Sequence, residues 1–330
     1  MDLWSQHMKA DGSIDMPPER LTTGVEMRYA TFSSDGTRLV YSKGKRISNV
    51  WRVPILEERP ATWSDAQQIT FDQAFVEFVS ISPNGQRLIV SSDRAGNPDL
   101  WMLPSEGGDM QAITDDPTPD WFSAWSPDGK EIAFYAYRSG NRDIWVMPAD
   151  GGAARQLTNH PARDSYPAWS PDGKEIVFDS YRGGSEDLWI MPAEGGEPRQ
   201  LTKDSGSSNP VWSPDGQWIA FTAYPRSTDA AFWRIRPTGE DLEPLTAQST
   251  ANAQVPHFSP DGGLLLFERE QDLWILSLES RLERRITDLS GRPGSPLGYG
   301  SASDGHYLYF CWSNDLYDLW VMDVVTDESE

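Results

Sequence analysis

Cysteine is almost missing: the 330 residues contain one, Cys311. A lone thiol cannot form an internal disulfide. In the apolar run YLYFCW it reads as a buried, inert side chain rather than a nucleophile. The redox compartment therefore stays open. Long apolar runs are absent too, and none approaches the ~20 residues of a membrane-spanning helix, so insertion into a membrane is not expected. The opening residues, MDLWSQHMKADG, show neither the basic stretch nor the apolar core of a secretory leader. Two localisations remain open, the cytoplasm or a soluble, periplasmic domain of a longer protein. Basic residues are scarce, 28 against 50 acidic ones, and the formal net charge is −22. Such a surface repels phosphate backbones, which argues against nucleic acid as a partner. The acidity itself is read as a means of staying soluble.

What the chain has instead is repetition. WFSAWSPDGKEIAFYAYRSGNRDIWVMPADGGAARQLT, from Trp121 to Thr158, is nearly copied as YPAWSPDGKEIVFDSYRGGSEDLWIMPAEGGEPRQLT, from Tyr166 to Thr202. Its marker turn recurs as SSDG at Ser33–Gly36, SPNG at Ser82–Gly85, SPDG at Ser126–Gly129, Ser170–Gly173, Ser213–Gly216 and Ser259–Gly262, and ASDG ending at Gly305. The copies stand 43 to 49 residues apart, the period of a propeller blade.

One unit reads as four short strands, a to d. Strand a is FSAW. In the SPDG turn that follows, Pro127 presets φ and Gly129 accepts a positive φ. Strand b is EIAFYA, strand c is IWVM, and strand d is ARQLT after the turn PADGG. Short connections predict an antiparallel meander. Both faces of such a sheet are apolar, so blades must stack around an axis to bury them. Trp51, Trp101, Trp145, Trp189, Trp233, Trp274 and Trp320 recur in strand c, and Trp125, Trp169, Trp212, Phe32 and Phe258 in strand a. They read as packing between blades.

The expected fold is all-β: one seven-bladed β-propeller over residues 1–330, each blade four-stranded and antiparallel. An N-terminal strand around Glu19–Thr22 is expected to complete the last blade. Asp2–Trp4 and Asp318–Trp320 both look like the start of a strand c, and one is redundant in a seven-bladed ring. Residues 1–18 are therefore read either as packing elsewhere or as the remnant of a further repeat from a longer chain.

The pattern WSPDGKEIAF…DIWVMPADGG…RQLT resembles the TolB-type propeller repeat, also called the WD-like PD repeat, across almost the whole chain. The resemblance implies a propeller that binds a protein, peptide or sugar, and it is closest to the sensor-type propellers of bacteria. Two features of the family are missing: the α/β domain that precedes the ring in TolB, and the G-x-S-x-G elbow of the propeller peptidases. Function is thus expected to be that of a monomeric sensor or scaffold module. A carbohydrate-active lyase or hydrolase, with its site at the channel mouth, is the alternative.

A meander puts the a–b and c–d turns on one face and the b–c and d–a loops on the other. The loop face varies most between blades, so specificity is expected there. Trp121 fills none of the repeated slots and is the candidate stacking surface, with Asp120 and Asp164 as acceptors. Arg138 and Arg182 occupy an R-x-G frame shared with Arg94, with Arg226 nearby. They are read either as clamps on a ligand or as loop contacts repeated in every blade, each with the acid that precedes strand c: Asp99, Asp143 or Asp187. Glu77 and His257 complete the candidate set. The four histidines (His7, His160, His257 and His306) fall in different blades and do not converge as metal ligands. No D-x-D-x-D-G loop occurs, so no cofactor is expected, and calcium held by acidic loops is the remaining alternative.

Overall fold

The structure, a computed structural model, describes residues 4–5, 9, 13–14, 17–20, 27–223, 231–246 and 254–323. They are all-β, and no described helix could cross a membrane. The chain divides into two compact units, residues 48–313 and residues 1–47 with 314–330.

The larger unit is a ring of blades. Blade 1 comprises strands Val76–Ile81, Arg87–Ser92, Asp99–Pro104 and Gln111–Ala112. Blade 2 comprises Asp120–Trp125, Glu131–Ala136, Asp143–Pro148 and Arg155–Gln156, and blade 3 Asp164–Trp169, Glu175–Ser180, Asp187–Pro192 and Arg199–Gln200. Blade 4 is Ser207–Trp212, Ile219–Ala223, Ala231–Ile235 and Glu243–Pro244, and blade 5 Gln254–Phe258, Leu264–Arg269, Asp272–Ser277 and Glu283–Arg285. Every strand pair within these five blades is antiparallel, as the short connections require.

The sixth blade is assembled from both ends of the chain. Ser295–Ser303 is its strand a, and the first part of Tyr307–Asp323 is strand b. Strand c is the last part of Arg38–Pro54, and strand d is Gln67–Gln68. Ser295–Ser303 packs against the inner strands of both blade 5 and blade 1, so six inner strands form a closed cycle among the described residues. This corrects the expected closure in two ways. The ring closes with six blades, and the N-terminal segment supplies two strands of the last blade rather than one. The physical reason is a change of hydrogen-bonding partner. Strand c around Trp51 lies next to Tyr307–Asp323, and the Ile55 N–H donates to His306 O (2.9 Å), as Ala149 does to Lys130 within blade 2. A second latch follows: Ala61–Thr62 pairs with Thr287–Asp288, and the Trp63 indole donates to Leu289 O (2.7 Å) while packing on Trp51 and Trp312.

In the smaller unit, Met27–Phe32 pairs with the first part of Arg38–Pro54 around the SSDG turn, and Trp4–Ser5 pairs with Glu19–Arg20. The expected seventh a–b hairpin is therefore here, and Glu19–Arg20 bonds to Trp4–Ser5 rather than completing a blade. Asp2, Leu21 and Thr22 lie outside the described residues.

Side-chain hydrogen bonds account for the repeated letters. In blade 2, Ser126 Oγ donates to Asp128 Oδ1 (2.8 Å) and accepts from Glu131 N (2.9 Å), while Lys130 N donates to the same carboxylate oxygen (3.1 Å). The turn's own donors and acceptors are thereby satisfied. The Leu-Thr pair has an equally local use. Thr158 Oγ1 accepts from Ile144 N (3.0 Å) and donates to Asp143 (3.4 Å), tying strand d to the start of strand c. Asp99, Asp187, Asp272 and, in blade 6, Asn49 repeat the clasp with Thr114, Thr202, Thr287 and Thr70.

Contacts between blades explain the proline and glycine of the turn. A Cβ at Gly173 would lie 3.4 Å from Pro127 Cγ of the preceding blade, and one at Gly305 would lie 3.2 Å from Pro260 Cγ. The SPDG turns thus touch in sequence around the ring. Gly173 also holds φ +72, a left-handed conformation that costs an L-residue about 1–2 kcal/mol. Gly173→Ala is expected to lower stability by about that amount or slightly more, measured by urea unfolding. An unchanged midpoint would show that the turn relaxes freely.

Candidate functional site

On the loop face of blades 2 and 3 the predicted residues meet as ion pairs. Asp120 begins strand a of blade 2, is fully buried, and accepts from Arg138 Nε (3.0 Å) and Nη2 (2.5 Å). Asp164 and Arg182 repeat this in blade 3, with Nη2 to Oδ2 at 2.6 Å, and Asp72 lies 3.4 Å from Arg94 at the junction with blade 1. Of the two uses weighed for these arginines, the geometry matches the repeated loop contact. In blades 2 and 3 its acid is the one that opens strand a, not the one before strand c. Asp99, Asp143 and Asp187 hold the threonine clasps instead.

Each arginine also covers a strand-c tryptophan. Arg94, Arg138, Arg182, Arg269 and Arg292 lie 4.7, 5.6, 5.3, 3.8 and 4.2 Å from the rings of Trp101, Trp145, Trp189, Trp274 and Trp51. Arg226 lies outside the described residues, as does His7. Burial pushes the Asp120 carboxyl upward, with Arg138 pulling the other way. Asp99 is pushed up to about 6 by its own burial and by the charge of Asp120.

Trp121 is half-buried and meets Tyr135 (6.0 Å) and Tyr137 (5.7 Å) of its own blade, and its buried Nε1 takes no partner among the described residues. Arg142, which sequence reasoning passed over, lies 4.7 Å over Tyr135 and donates to Tyr137 Oη (2.8 Å) and Ser165 Oγ (3.2 Å). These contacts organise the loop end of blades 2 and 3 internally.

The inner strands share a device that composition does not reveal. A positive φ recurs early in strand a, at the third residue in blades 1 to 4 (Phe78, Phe122, Tyr166 and Asn209) and at the second, Val255, in blade 5, each at a register shift against strand b. This backbone is costly for side chains other than glycine. In blades 1 to 3 it brings the rings together edge-on, Phe78 with Phe122 at 5.7 Å and Phe122 with Tyr166 at 4.8 Å. Phe78, Phe122 and Tyr166 thus serve as scaffold.

Beyond those rings lies an axial cavity of about 380 Å³ to which all six inner strands contribute. It runs from Phe78 and Phe122 to the exposed turn prolines Pro83, Pro214 and Pro260, so its mouth is on the turn face. Trp125, Trp169, Trp212 and Phe258 form much of the wall, and no described lining residue is charged. Ser80 and Ser123, the inner polar groups of blades 1 and 2, bond each other at 2.6 Å. Of the seven sequence candidates only His257 lines this cavity. Burial holds its imidazole neutral, with its pKa down to about 4, and the buried Nε2 has no partner among the described residues. Asp120, Trp121, Arg138, Asp164, Arg182 and Glu77 are not among the lining residues.

Two further acids sit on strand b, Asp179 in blade 3 and Glu268 in blade 5. Asp179 is buried and its carboxyl is pushed well above the ordinary range by desolvation. It accepts from Asn209 N of blade 4 at 3.3 Å. Glu268 is buried with neither oxygen partnered among the described residues, and desolvation pushes it up to about 8. Neither was singled out from the sequence, where each looks like an ordinary strand carboxylate.

Blades of four antiparallel strands set around an axial cavity define a β-propeller. The TolB β-propeller domain model matches residues 30–154 and 121–298, and the chain belongs to that family. No curated protein matches it. Among solved structures it is similar to a putative TolB from Agrobacterium tumefaciens, at 22% identity and TM-score 0.67 over 82% of this chain and 99% of that one. It is also similar to TolB from Acinetobacter baumannii, at 19% identity and TM-score 0.60, covering 78% of this chain and 65% of the other. An oligogalacturonate lyase in complex with manganese shares 12% identity at TM-score 0.54, covering 86% and 95%. These likenesses are likenesses of fold.

Proposed function

We propose that this propeller is a binding module that receives a segment of a protein or peptide partner in the axial cavity, entered from the turn face. The observation that carries the proposal is the lining: aromatic rings, prolines and small residues from six blades, with no charged side chain among those described. The volume lies within the usual range for a ligand site. An apolar wall with few free hydrogen-bonding groups favours apolar side chains over a glycan, which needs its hydroxyls satisfied. The lyase or hydrolase alternative has less support, because it needs facing carboxylates, or a carboxylate and a cation, at the mouth. Asp120 and Asp164 are instead engaged by arginines of their own blades.

The test is to fill the cavity. Ala124 and Ala168 are small lining residues. Ala168→Trp, or Ala124→Phe as a second plug, is expected to weaken capture of uncharged Leu-, Phe- and Pro-rich octapeptides by about tenfold or more, followed by intrinsic tryptophan emission. Trp121→Ala is expected to leave capture unchanged. The reverse pattern, with both proteins folded by thermal melting, would move the site back to the loop face.

A further inference from the structure

Beside the axial cavity lies a groove of about 660 Å³ between the turns of blades 4 and 5, and Phe258 belongs to the walls of both. Its exposed rim carries the carboxylates of Asp215, Asp261 and Glu279. We propose that the partner segment places a lysine or arginine in this groove, next to the apolar residues it inserts into the axial cavity. This rests on the binding role proposed above and adds the charge of what is bound.

The charge balance of the turns supports it. In blades 2 and 3 the turn aspartates have their own cations, Lys130 at 3.1 Å from Asp128 and Lys174 at 3.2 Å from Asp172. Blades 4 and 5 have Gln217 and Gly263 in those positions. Asp215 Oδ1 accepts from Ser213 Oγ (2.6 Å) and Gln217 N (2.9 Å), and Asp261 Oδ1 from Ser259 Oγ (2.5 Å) and Gly263 N (3.1 Å). Oδ2 of each accepts no hydrogen bond among the described residues. The same local bonds hold both carboxyls below the ordinary range, with a smaller pull on Asp215 from Arg236, itself paired with Asp241 at 3.4 Å, so both stay ionised near neutral pH.

The groove's own cation, Arg234, is committed elsewhere. It is paired with Glu243 and stacked at 3.9 Å on Trp218, whose ring Arg236 also covers at 3.8 Å. What remains on the rim is negative, next to an uncharged cavity in which His257 keeps one unpartnered buried nitrogen. The complementary occupant is apolar at its tip and cationic beside it.

The chain itself supplies a conservative way to remove the charge. Blade 1 carries Asn84 in the same turn position, where Oδ1 accepts from Ser82 Oγ (2.7 Å) and Gln86 N (3.1 Å). Asp→Asn is thus compatible with the turn. The experiment is calorimetric titration of the full chain with three capped octapeptides, each Leu-Phe-Pro-Phe followed by two lysines, two glutamines or two glutamates. The lysine peptide is expected to bind about tenfold tighter than the glutamine peptide, with an advantage that shrinks in high salt. Asp215→Asn with Asp261→Asn is expected to remove most of that advantage. Asp128→Asn with Asp172→Asn, an equal change in net charge on turns that hold their own lysines, is expected to leave it. Equal binding of all three peptides, abolished by the Ala168→Trp plug, would overturn the charge inference and keep the cavity. The same holds if the two double variants behave alike. Lysine-peptide binding that survives the plug would overturn both.

Discussion

Arg138→Met is expected to lower stability by about 3–5 kcal/mol near neutral pH, because it leaves a buried carboxylate without its counter-ion. Asp120 is 0% exposed, while the Arg138 side chain is 17% exposed, so the arginine is the partner that water can replace more easily. Asp99, itself pushed up to about 6, adds a second negative charge close by. With Arg138 gone, the folded-state pKa of Asp120 rises further. Its stability contribution is then present in acid and lost as pH rises, so the deficit against the natural chain is expected to shrink toward about pH 4. Adding Asp120→Asn removes the unpaired charge and is expected to recover part of the loss. Urea unfolding at several pH values checks each step, and a deficit that does not change with pH would mean that lost stacking on Trp145 dominates.

Glu268→Gln is expected to act in the opposite direction. Glu268 rises from an ordinary 4.5 to about 8 through burial alone. The neutral acid suits the interior, so its contribution is full below about pH 4.5 and falls away as pH rises through about 8. The glutamine cannot ionise. The variant should match the natural chain in acid and exceed it by about 3–5 kcal/mol above pH 8. His257, on the same hairpin of blade 5, has the opposite shift and acts between about pH 6.5 and 4. The difference between natural chain and variant therefore isolates Glu268. Parallel stability curves across this range would show that the carboxylate reaches water.

The turn face matters more than its monotony suggests. Repetition on that face reflects two needs at once: each turn satisfies its own hydrogen bonds, and each touches the next turn around the ring. The axial cavity opens in the middle of this frame. Variation there is confined to small changes, Lys130 and Lys174 giving way to Gln217 and Gly263, and those changes set the local charge.

Much of the fold was legible because it is written in local periods. The recurring S-P-D-G, D-L-W and L-T letters mark strand ends, and their hydrogen bonds span few residues, so one blade's sequence contains nearly all of that blade's structure. Its strands, their antiparallel order, and the packing roles of Trp145, Trp189 and their equivalents followed directly. The pairing of arginines with buried acids was legible as a type but not as a partner. Arg138 and Asp120 are joined across the sheet end, and only the folded sheet brings them together. Tertiary structure alone decided three things. It chose the neighbour of the Trp51 strand, because any antiparallel strand with an apolar face can hydrogen-bond there, and that choice closed the ring with six blades. It placed Phe78, Phe122 and Tyr166 in positive-φ bulges that bring their rings together edge-on in blades 1 to 3. It also left the space on the turn side, where small and aromatic residues from six blades face one axis. Such a space is a property of how the blades wedge together, and no single repeat contains it.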